Sequence, residues 1–337
     1  MIGTCDGTAP VSITGLGYYV PERVLKNDEL AQMVDTSDEW IQTRTGIRER
    51  RIAAPEQATS DLALAAAEPA LADARVAASE LDLVIVATIT PDMLFPSTAA
   101  MVAARLGAEN AAAYDLSAGC TGFVYALTQG HAAIVSGLAK RVLVIGADTL
   151  SRIVDWSDRS TCVLFGDGAG AVVLESVDRG GFHAFELGAD GAGGLELYMA
   201  AGGSRRPASA ETVAAGEHFV RMNGPEVYKF ATRVLLSSAQ TVLEVAGKSM
   251  DEVDLYVPHQ ANLRIIEHAA KRLKIEEERV FVNVDRYGNT SSASIPLALE
   301  DARAEGRLKD GTLVLMTGMG AGLTWGSNLM TWTEGRE

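Results

Sequence analysis

A single cysteine stands where an apolar strand is expected to give way to a helix. In the stretch "DLSAGCTGFVYAL", residues 115–127, Cys120 lies between a glycine and a small polar residue, just before an apolar run. The unpaired N–H groups and the dipole at a helix N-terminus favour a thiolate, so this position predicts a lowered pKa and a nucleophile. A lone cysteine is more often a small buried hydrophobe, and we prefer that interpretation for Cys162 and for Cys5, which we expect in a loose N-terminal segment.

Two polar residues of the second half stand in comparable places. His259 in "YVPHQANL" directly follows an apolar strand and a proline, and Asn289 in "RYGNTSSAS" precedes a run of serines and threonines. Taken alone, His259 could be a turn or capping residue, and Asn289 could be a plain turn residue. The run of serines and threonines after Asn289 could be the N-cap of a helix. Ligands bind at strand ends in open α/β sheets, so a shared crevice for these two residues and Cys120 is the functional alternative.

The segments that position these residues have the pattern of a strand followed by a helix. The order of these strand–helix units in the first half of the chain is repeated in the second half. The segment "VDLYVPHQANLRIIEHAAKRLKI" matches "LDLVIVATITPDMLFPSTAAMVAARLGA", and "GTLVLMTGMG" matches "RVLVIGAD". This pattern predicts an internal duplication of two α/β halves with mixed sheets, with domains at residues 1–180 and 181–337. The Gly-Asp-Gly within "TCVLFGDGAGAVVLES" predicts a hairpin there, with Cys162 inside its first strand.

Composition narrows the class of protein. The chain has 337 residues, of which 47% are hydrophobic and 22% charged, which is typical of a soluble enzyme. No apolar run approaches the roughly 18 residues of a membrane span. Three scattered cysteines without a CxxC motif indicate a reducing cytoplasm. The net charge of −15 disfavours nucleic acid and anionic membranes as partners, so an anionic partner would need a local basic patch.

Five motifs in one order resemble a known family. They are "MVDTSDEWIQTRTGIRERRIA", "AGCTGF", "VPHQANLRII", "RYGNTSSASIP" and "GAGLTWGS". Together they resemble beta-ketoacyl-[acyl carrier protein] synthase III of the thiolase-like condensing enzymes, from about residue 13 to residue 330. The resemblance implies a duplicated, five-layered α-β-α-β-α fold with two mixed sheets.

The resemblance also implies an activity. This is the decarboxylative Claisen condensation of an acyl-coenzyme A primer with malonyl-[acyl carrier protein], which gives 3-ketoacyl-[acyl carrier protein] and initiates type II fatty acid synthesis. One alternative is a coenzyme-A-primed ketosynthase or acyltransferase of polyketide or other secondary metabolism. Another is a non-catalytic thioester-binding or scaffold protein on the same fold.

Site residues carried over from the family fall on definite positions. The catalytic triad would be Cys120, His259 and Asn289, and the backbone N–H groups of Cys120 and Ala321 would form the oxyanion hole. The resemblance implies no metal and no cofactor, since the coenzyme A thioester is a substrate. The remaining implied residues are the coenzyme A ligands Thr36, Trp40, Arg44 and Arg159, and Phe95, which would close the acyl pocket from the partner subunit of a homodimer.

Acyl carrier protein is acidic, so the resemblance directs the search for a basic patch. On the helix after His259, Arg264, Lys271 and Arg272 are spaced at i, i+7 and i+8, which places them on one face. Lys229 and Arg233 form a second pair at i and i+4. We expect these five residues to dock the carrier protein; the alternative is an ordinary solvated helix face.

Overall fold

Two five-stranded mixed sheets form the frame of the molecule. The computed structural model describes residues 1–5 and 9–333. The strands in these ranges are β1 (Ile2–Thr4), β2 (Val11–Tyr19), β3 (Arg23–Lys26), β4 (Glu49–Ile52), β5 (Leu83–Ala87), β6 (Ala112–Leu116), β7 (Arg141–Asp148), β8 (Gly168–Ser176), β9 (Gly181–Ala189), β10 (Leu197–Met199), β11 (Val220–Met222), β12 (Leu255–Pro258), β13 (Leu313–Gly320) and β14 (Thr324–Thr331).

Helices flank both sheets and fill the space between them. They are α1 (Asn27–Leu30), α2 (Asp38–Thr45), α3 (Thr59–Ala74), α4 (Thr98–Leu106), α5 (Gly122–Val135), α6 (Arg159–Cys162), α7 (Ala210–Ala214), α8 (Gly224–Val245), α9 (Leu263–Leu273), α10 (Val284–Tyr287) and α11 (Ser294–Ala304). Within the described ranges, no helix combines the length and the apolar character that crossing a bilayer requires.

The two sheets share one topology. The first has the order β2-β8-β7-β5-β6, with β5 parallel to both β6 and β7 and the other pairs antiparallel. The second has the order β1-β9-β14-β13-β12, with β12 parallel to β13. Beyond β12, a parallel bridge between Tyr256 and Val280 takes the place that β6 has in the first sheet. Strand order and direction therefore repeat between the halves, which is the predicted duplication.

Five layers result from this repeat. The helices α3 and α4 cover the outer face of the first sheet, and α8 and α9 cover the outer face of the second. Between the sheets lie α5 and α11, and α5 is buried along most of its length. A helix that is apolar on nearly every face has no side to offer to solvent, so it occupies the central layer. The predicted α-β-α-β-α fold is confirmed.

Three local expectations were wrong. Residues 161–176 form no hairpin, because Cys162 ends α6 and only β8 follows, paired with β7 and β2. The Asp167 carboxylate in the supposed turn is buried and accepts hydrogen bonds from the backbone N–H groups of Ala53 and Ser151. The N-terminal segment is not loose around Cys5, since β1 pairs with β9 and Cys5 donates its N–H to His183 O.

The division into residues 1–180 and 181–337 stays a prediction. Its boundary lies at the start of β9, the first long strand of the second sheet. The short strand β1 lies before the boundary in sequence but at the edge of the second sheet, where it pairs with β9. The chain therefore crosses from the second sheet to the first within its first 11 residues.

Candidate active site

Cys120 lies in the 3-10 turn Gly119–Thr121, immediately before α5. Its side chain is only 7% exposed. Burial, with the charge of Asp148 acting in the same direction, raises the pKa of the Cys120 thiol to about 12. The helix N-terminus was expected to lower this pKa, whereas burial, the largest cause, raises it. In this state Cys120 is a thiol.

His259 directly follows β12 and is fixed at both its backbone and its ring. Its N–H donates to Thr317 O at 2.8 Å, and its Nδ1 lies 2.6 Å from Ser294 Oγ. Its Nε2 is buried and has no hydrogen-bond partner among the residues described. Burial lowers the pKa of His259 to about 3, so the ring is neutral at physiological pH. A buried ring nitrogen without a partner is expected at a site that a substrate will complete.

Asn289 is held by a short bridge to Phe165 and is 7% exposed. Its N–H donates to Leu164 O at 2.8 Å, and its carbonyl accepts from Gly166 N–H at 3.0 Å. The side-chain Oδ1 accepts a hydrogen bond from Ser291 N–H at 2.8 Å. Because Oδ1 is occupied, the amide presents its Nδ2 donor group instead.

One cavity brings these three residues together. It has a volume of about 210 Å³, and Cys120, His259 and Asn289 all line it, together with Trp40 and Arg44 toward the surface. A second, more apolar cavity of about 190 Å³ also reaches Cys120, and its other lining residues include Leu150, Ile153, Phe165 and Ala321. Cys120 therefore lies between a cavity with polar groups and an apolar cavity.

The loop between β13 and β14 packs closely against the turn that carries Cys120. A Cβ placed on Gly320 would lie 2.4 Å from Cys120 N, and one on Gly119, whose φ is +56°, would lie 2.7 Å from Ala321 N. Thr324 Oγ1 donates to Ala118 O at 2.7 Å across the same contact. Both glycines are therefore required for the close approach of the Cys120 and Ala321 backbones.

Comparison with known proteins agrees with this geometry. Residues 114–191 match the family model 3-Oxoacyl-[acyl-carrier-protein (ACP)] synthase III, and residues 243–332 match that of its C-terminal part. The chain is 59% identical over 324 residues to Beta-ketoacyl-[acyl-carrier-protein] synthase III of Symbiobacterium thermophilum, which covers 96% of this chain and 98% of the relative. The chain belongs to the beta-ketoacyl-[acyl-carrier-protein] synthase III family.

Solved structures extend this finding. The 3-oxoacyl-[acyl-carrier-protein] synthase III of Aquifex aeolicus is 49% identical, with a TM-score of 0.89 over 96% of this chain and 100% of that one. The priming beta-ketosynthase from the R1128 polyketide biosynthetic pathway is 37% identical, with a TM-score of 0.91 over 98% of both chains. This synthase thus shares its fold both with another 3-oxoacyl-[acyl-carrier-protein] synthase III and with a priming ketosynthase of a polyketide pathway.

Two of the four residues expected to bind coenzyme A line the larger of the two cavities that reach Cys120. The Arg159 guanidinium lies 4.8 Å from the Trp40 ring centroid, and that of Arg44 lies 5.9 Å from it. Trp40 and Arg44 line the cavity. Thr36 and Arg159 are not among its lining residues, and Thr36 Oγ1 is buried with no hydrogen-bond partner in the described part of the chain.

Phe95 and the basic residues lie outside the two cavities. Phe95 is 83% exposed and lines neither cavity of its own chain. Arg264 lies in the first turn of α9, beside the cavity, whereas Lys271 and Arg272 lie in its last turn, about 10 Å further along the axis. Lys229 and Arg233 are exposed on α8, where Lys229 pairs with Glu226 at 2.6 Å. The structure thus distributes the five basic residues over two helices.

Sequence reasoning missed the role of two serines. The run after Asn289 was expected to cap a helix, but the residue before α11 is Ala293 and no side chain caps it. Instead, the Ser291 N–H holds the Asn289 amide, and the Ser294 hydroxyl reaches His259. Within the described ranges, no group of three His, Cys, Asp or Glu side chains is arranged to hold a metal ion.

Proposed function

We propose that this synthase condenses an acyl-coenzyme A primer with malonyl-[acyl carrier protein], releasing carbon dioxide and forming 3-ketoacyl-[acyl carrier protein]. The observation that carries the proposal is the convergence of Cys120, His259 and Asn289 on one buried cavity. Cys120 follows β6, His259 follows β12 and Asn289 follows α10, and each of the three offers a different chemical group. A non-catalytic scaffold would not need a thiol, an imidazole and an amide in one pocket.

The first half-reaction transfers the acyl group to Cys120. The sulfur attacks the thioester carbonyl, the bond from that carbon to the coenzyme A sulfur breaks, and the Cys120 proton leaves with the coenzyme A thiol. The backbone N–H groups of Cys120 and Ala321 are the proposed donors to the tetrahedral oxyanion. A single donor of this type typically contributes about 100- to 1,000-fold in rate.

The second half-reaction forms the carbon–carbon bond. His259 Nε2–H and Asn289 Nδ2–H donate to the thioester carbonyl oxygen of the malonyl group, which stabilises the enolate as carbon dioxide departs. The enolate carbon attacks the acyl-Cys120 carbonyl, and the bond from that carbon to the Cys120 sulfur breaks. The released Cys120 thiolate takes a proton from solvent and returns to the thiol. A neutral, buried imidazole suits this task. It donates a hydrogen bond but carries no full charge, and a full charge would be costly to bury.

The two ends of the acyl-coenzyme A substrate have separate proposed binding places. The coenzyme A adenine would stack between Trp40 and Arg159, with Thr36 and Arg44 nearby. The acyl group would enter the apolar cavity behind Cys120. No cofactor beyond the thioester substrate takes part in this chemistry.

A homodimer is part of the proposal. The strand β6 is the exposed edge of the first sheet, and unpaired edge N–H and C=O groups can pair with a second copy. The nearby loop exposes Met93 to 46%, Leu94 to 80% and Phe95 to 83%. An apolar patch of this kind is typical of a subunit interface, where Phe95 would reach the acyl cavity of the partner.

The acidic carrier protein would approach the basic residues beside the cavity mouth. Arg264 is the nearest of them, with Lys271 and Arg272 on α9 and Lys229 and Arg233 on α8 extending the surface. We assign the synthase to the cytoplasm, a reducing compartment, because its three cysteines are scattered along the sequence without a CxxC motif. We favour fatty acid initiation over the polyketide route because of the sequence identities. The chain is 59% identical to a beta-ketoacyl-[acyl-carrier-protein] synthase III but 37% identical to the polyketide ketosynthase.

Intact-protein mass spectrometry tests this proposal. Wild-type protein and Cys120→Ala are incubated with a panel of acyl-coenzyme A thioesters, and one acyl adduct is expected on the wild type only. Cys162→Ala is the matched control, because that buried thiol lines neither cavity, and it should keep the adduct. An adduct that survives in Cys120→Ala, or a wild type that forms none from any thioester, would refute the mechanism.

A further inference from the structure

The imidazole of His259 and the hydroxyl of Ser294 form a buried pair. His259 Nδ1 and Ser294 Oγ are 2.6 Å apart, and the two residues are 1% and 2% exposed. A neutral imidazole carries its proton on either Nδ1 or Nε2, and the partner of one nitrogen decides the state of the other. The direction of this single hydrogen bond therefore determines what Nε2 can do in the cavity.

The surroundings of the hydroxyl decide that direction. In the described part of the chain, Ser294 Oγ has two hydrogen-bond contacts, to His259 Nδ1 and to the backbone N–H of Gln260 at 3.3 Å. The Gln260 N–H is a donor, so the oxygen accepts from it. The hydroxyl hydrogen then has one acceptor within reach, which is Nδ1. With Nδ1 accepting, the proton of the neutral ring is on Nε2.

The opposite arrangement leaves two groups unsatisfied. If Nδ1 carried the proton, the buried Ser294 hydroxyl would have no acceptor for its hydrogen. In addition, Nε2 would turn a lone pair toward the thioester carbonyl oxygen, which is itself an acceptor. The condensation step needs a donor at that point.

The turn around His259 has little freedom to correct a wrong tautomer. The Gln260 side chain donates to Pro258 O at 2.8 Å and to Phe281 O at 3.1 Å, and its Oε1 accepts from Asn283 N–H at 3.0 Å. The backbone of His259 is also held, because its N–H donates to Thr317 O at 2.8 Å. The ring therefore cannot shift to another partner when the hydroxyl is lost.

We infer that Ser294 is a positioning residue for condensation, which holds His259 in the tautomer with a proton on Nε2. This inference rests on the proposed function. Ser291 does the equivalent for the second donor, since its N–H occupies Asn289 Oδ1 and leaves Nδ2 for the substrate. One short segment, residues 291–294, thus orients both donors to the malonyl thioester.

Nitrogen NMR of protein labelled with ¹⁵N-histidine reads the tautomer directly, without any substrate. The wild type is expected to show His259 as the Nε2–H form, with the signal assigned through its absence from His259→Ala. Ser294→Ala is expected to show a mixture of the two tautomers, and Ser294→Thr, which keeps the hydroxyl, to resemble the wild type. An Nδ1–H form in the wild type overturns the inference, even if the alanine variant does not fold.

The two half-reactions supply the second readout. Acylation of Cys120 is expected to stay within about twofold of wild type in Ser294→Ala, because Nε2 takes no part in that step. Decarboxylation of malonyl-[acyl carrier protein] is expected to fall about tenfold or more, and Ser294→Thr should restore it. Equal losses in both steps would show a merely structural role for Ser294. A wild type that forms no adduct on Cys120 would instead refute the proposed function.

Discussion

The carboxylate of Asp148 accepts a hydrogen bond from the hydroxyl of Ser292 at 2.8 Å, and this contact joins the end of β7 to the turn after Asn289. The other carboxylate oxygen accepts from Thr88 Oγ1, Thr90 Oγ1 and the Ile89 N–H. Asp148 is fully buried, and every one of these partners is a donor. One acceptor therefore joins the end of β7 and the loop after β5 to the segment that follows Asn289.

Asp148→Asn is expected to lower the free energy of unfolding by about 2–4 kcal/mol, because the new amide group faces donors in a buried site. Urea denaturation measures the change. The control is Asp82→Asn, since the Asp82 carboxylate also accepts backbone N–H groups but at an exposed site. Asp82→Asn is expected to lower the free energy of unfolding by less than about 1 kcal/mol. Equal decreases for the two variants would contradict the argument.

Gly320→Ala is expected to reduce the rate of Cys120 acylation about 100-fold, because the new Cβ would displace the Cys120 backbone from its present position. The rate is measured by mass spectrometry under single-turnover conditions. Gly203→Ala is the matched control, as nothing lies within 4 Å of its Cβ position. Wild-type acylation by Gly320→Ala would show that the close approach has no catalytic importance.

Trp40→Ala is expected to raise KM for acyl-coenzyme A about tenfold, since a ring stacked on a base typically contributes 1–3 kcal/mol. The comparison substrate is an acyl-pantetheine thioester, which has no nucleotide to stack on the ring. For that thioester the variant and the wild type should have the same KM. A similar increase for both thioesters would mean that Trp40 supports the cavity rather than the adenine.

The reaction of Cys120 with iodoacetamide is expected to accelerate about tenfold for each pH unit between pH 6 and 9, without a plateau. With a pKa of about 12, the thiol is mostly protonated over this whole range, and the small thiolate fraction rises in proportion to hydroxide. Peptide mass spectrometry separates Cys120 from Cys5 and Cys162. A plateau near pH 7 would show a stabilised thiolate and would contradict the effect of burial described above.

Much of the fold was predictable because it depends on local patterns. Continuous apolar runs such as that of β5 predict strands that are buried on both faces, and their repeated order predicts two similar halves. The hairpin at residues 161–176 was mispredicted because a Gly-Asp-Gly triplet is typical of a turn. Its aspartate is instead a buried anchor for distant N–H groups, and such a contact leaves no mark in the local sequence.

The sequence by itself determined which residues are candidates for the chemistry: a cysteine, a histidine and an asparagine, each after a predicted strand and within a recognisable motif. Only the tertiary structure decided their states. Burial keeps Cys120 a thiol and His259 neutral, and a 2.6 Å contact across 35 residues gives Nδ1 its partner in Ser294. Desolvation and hydrogen-bond direction depend on what surrounds a group in space, and the chain acquires those surroundings only when it folds.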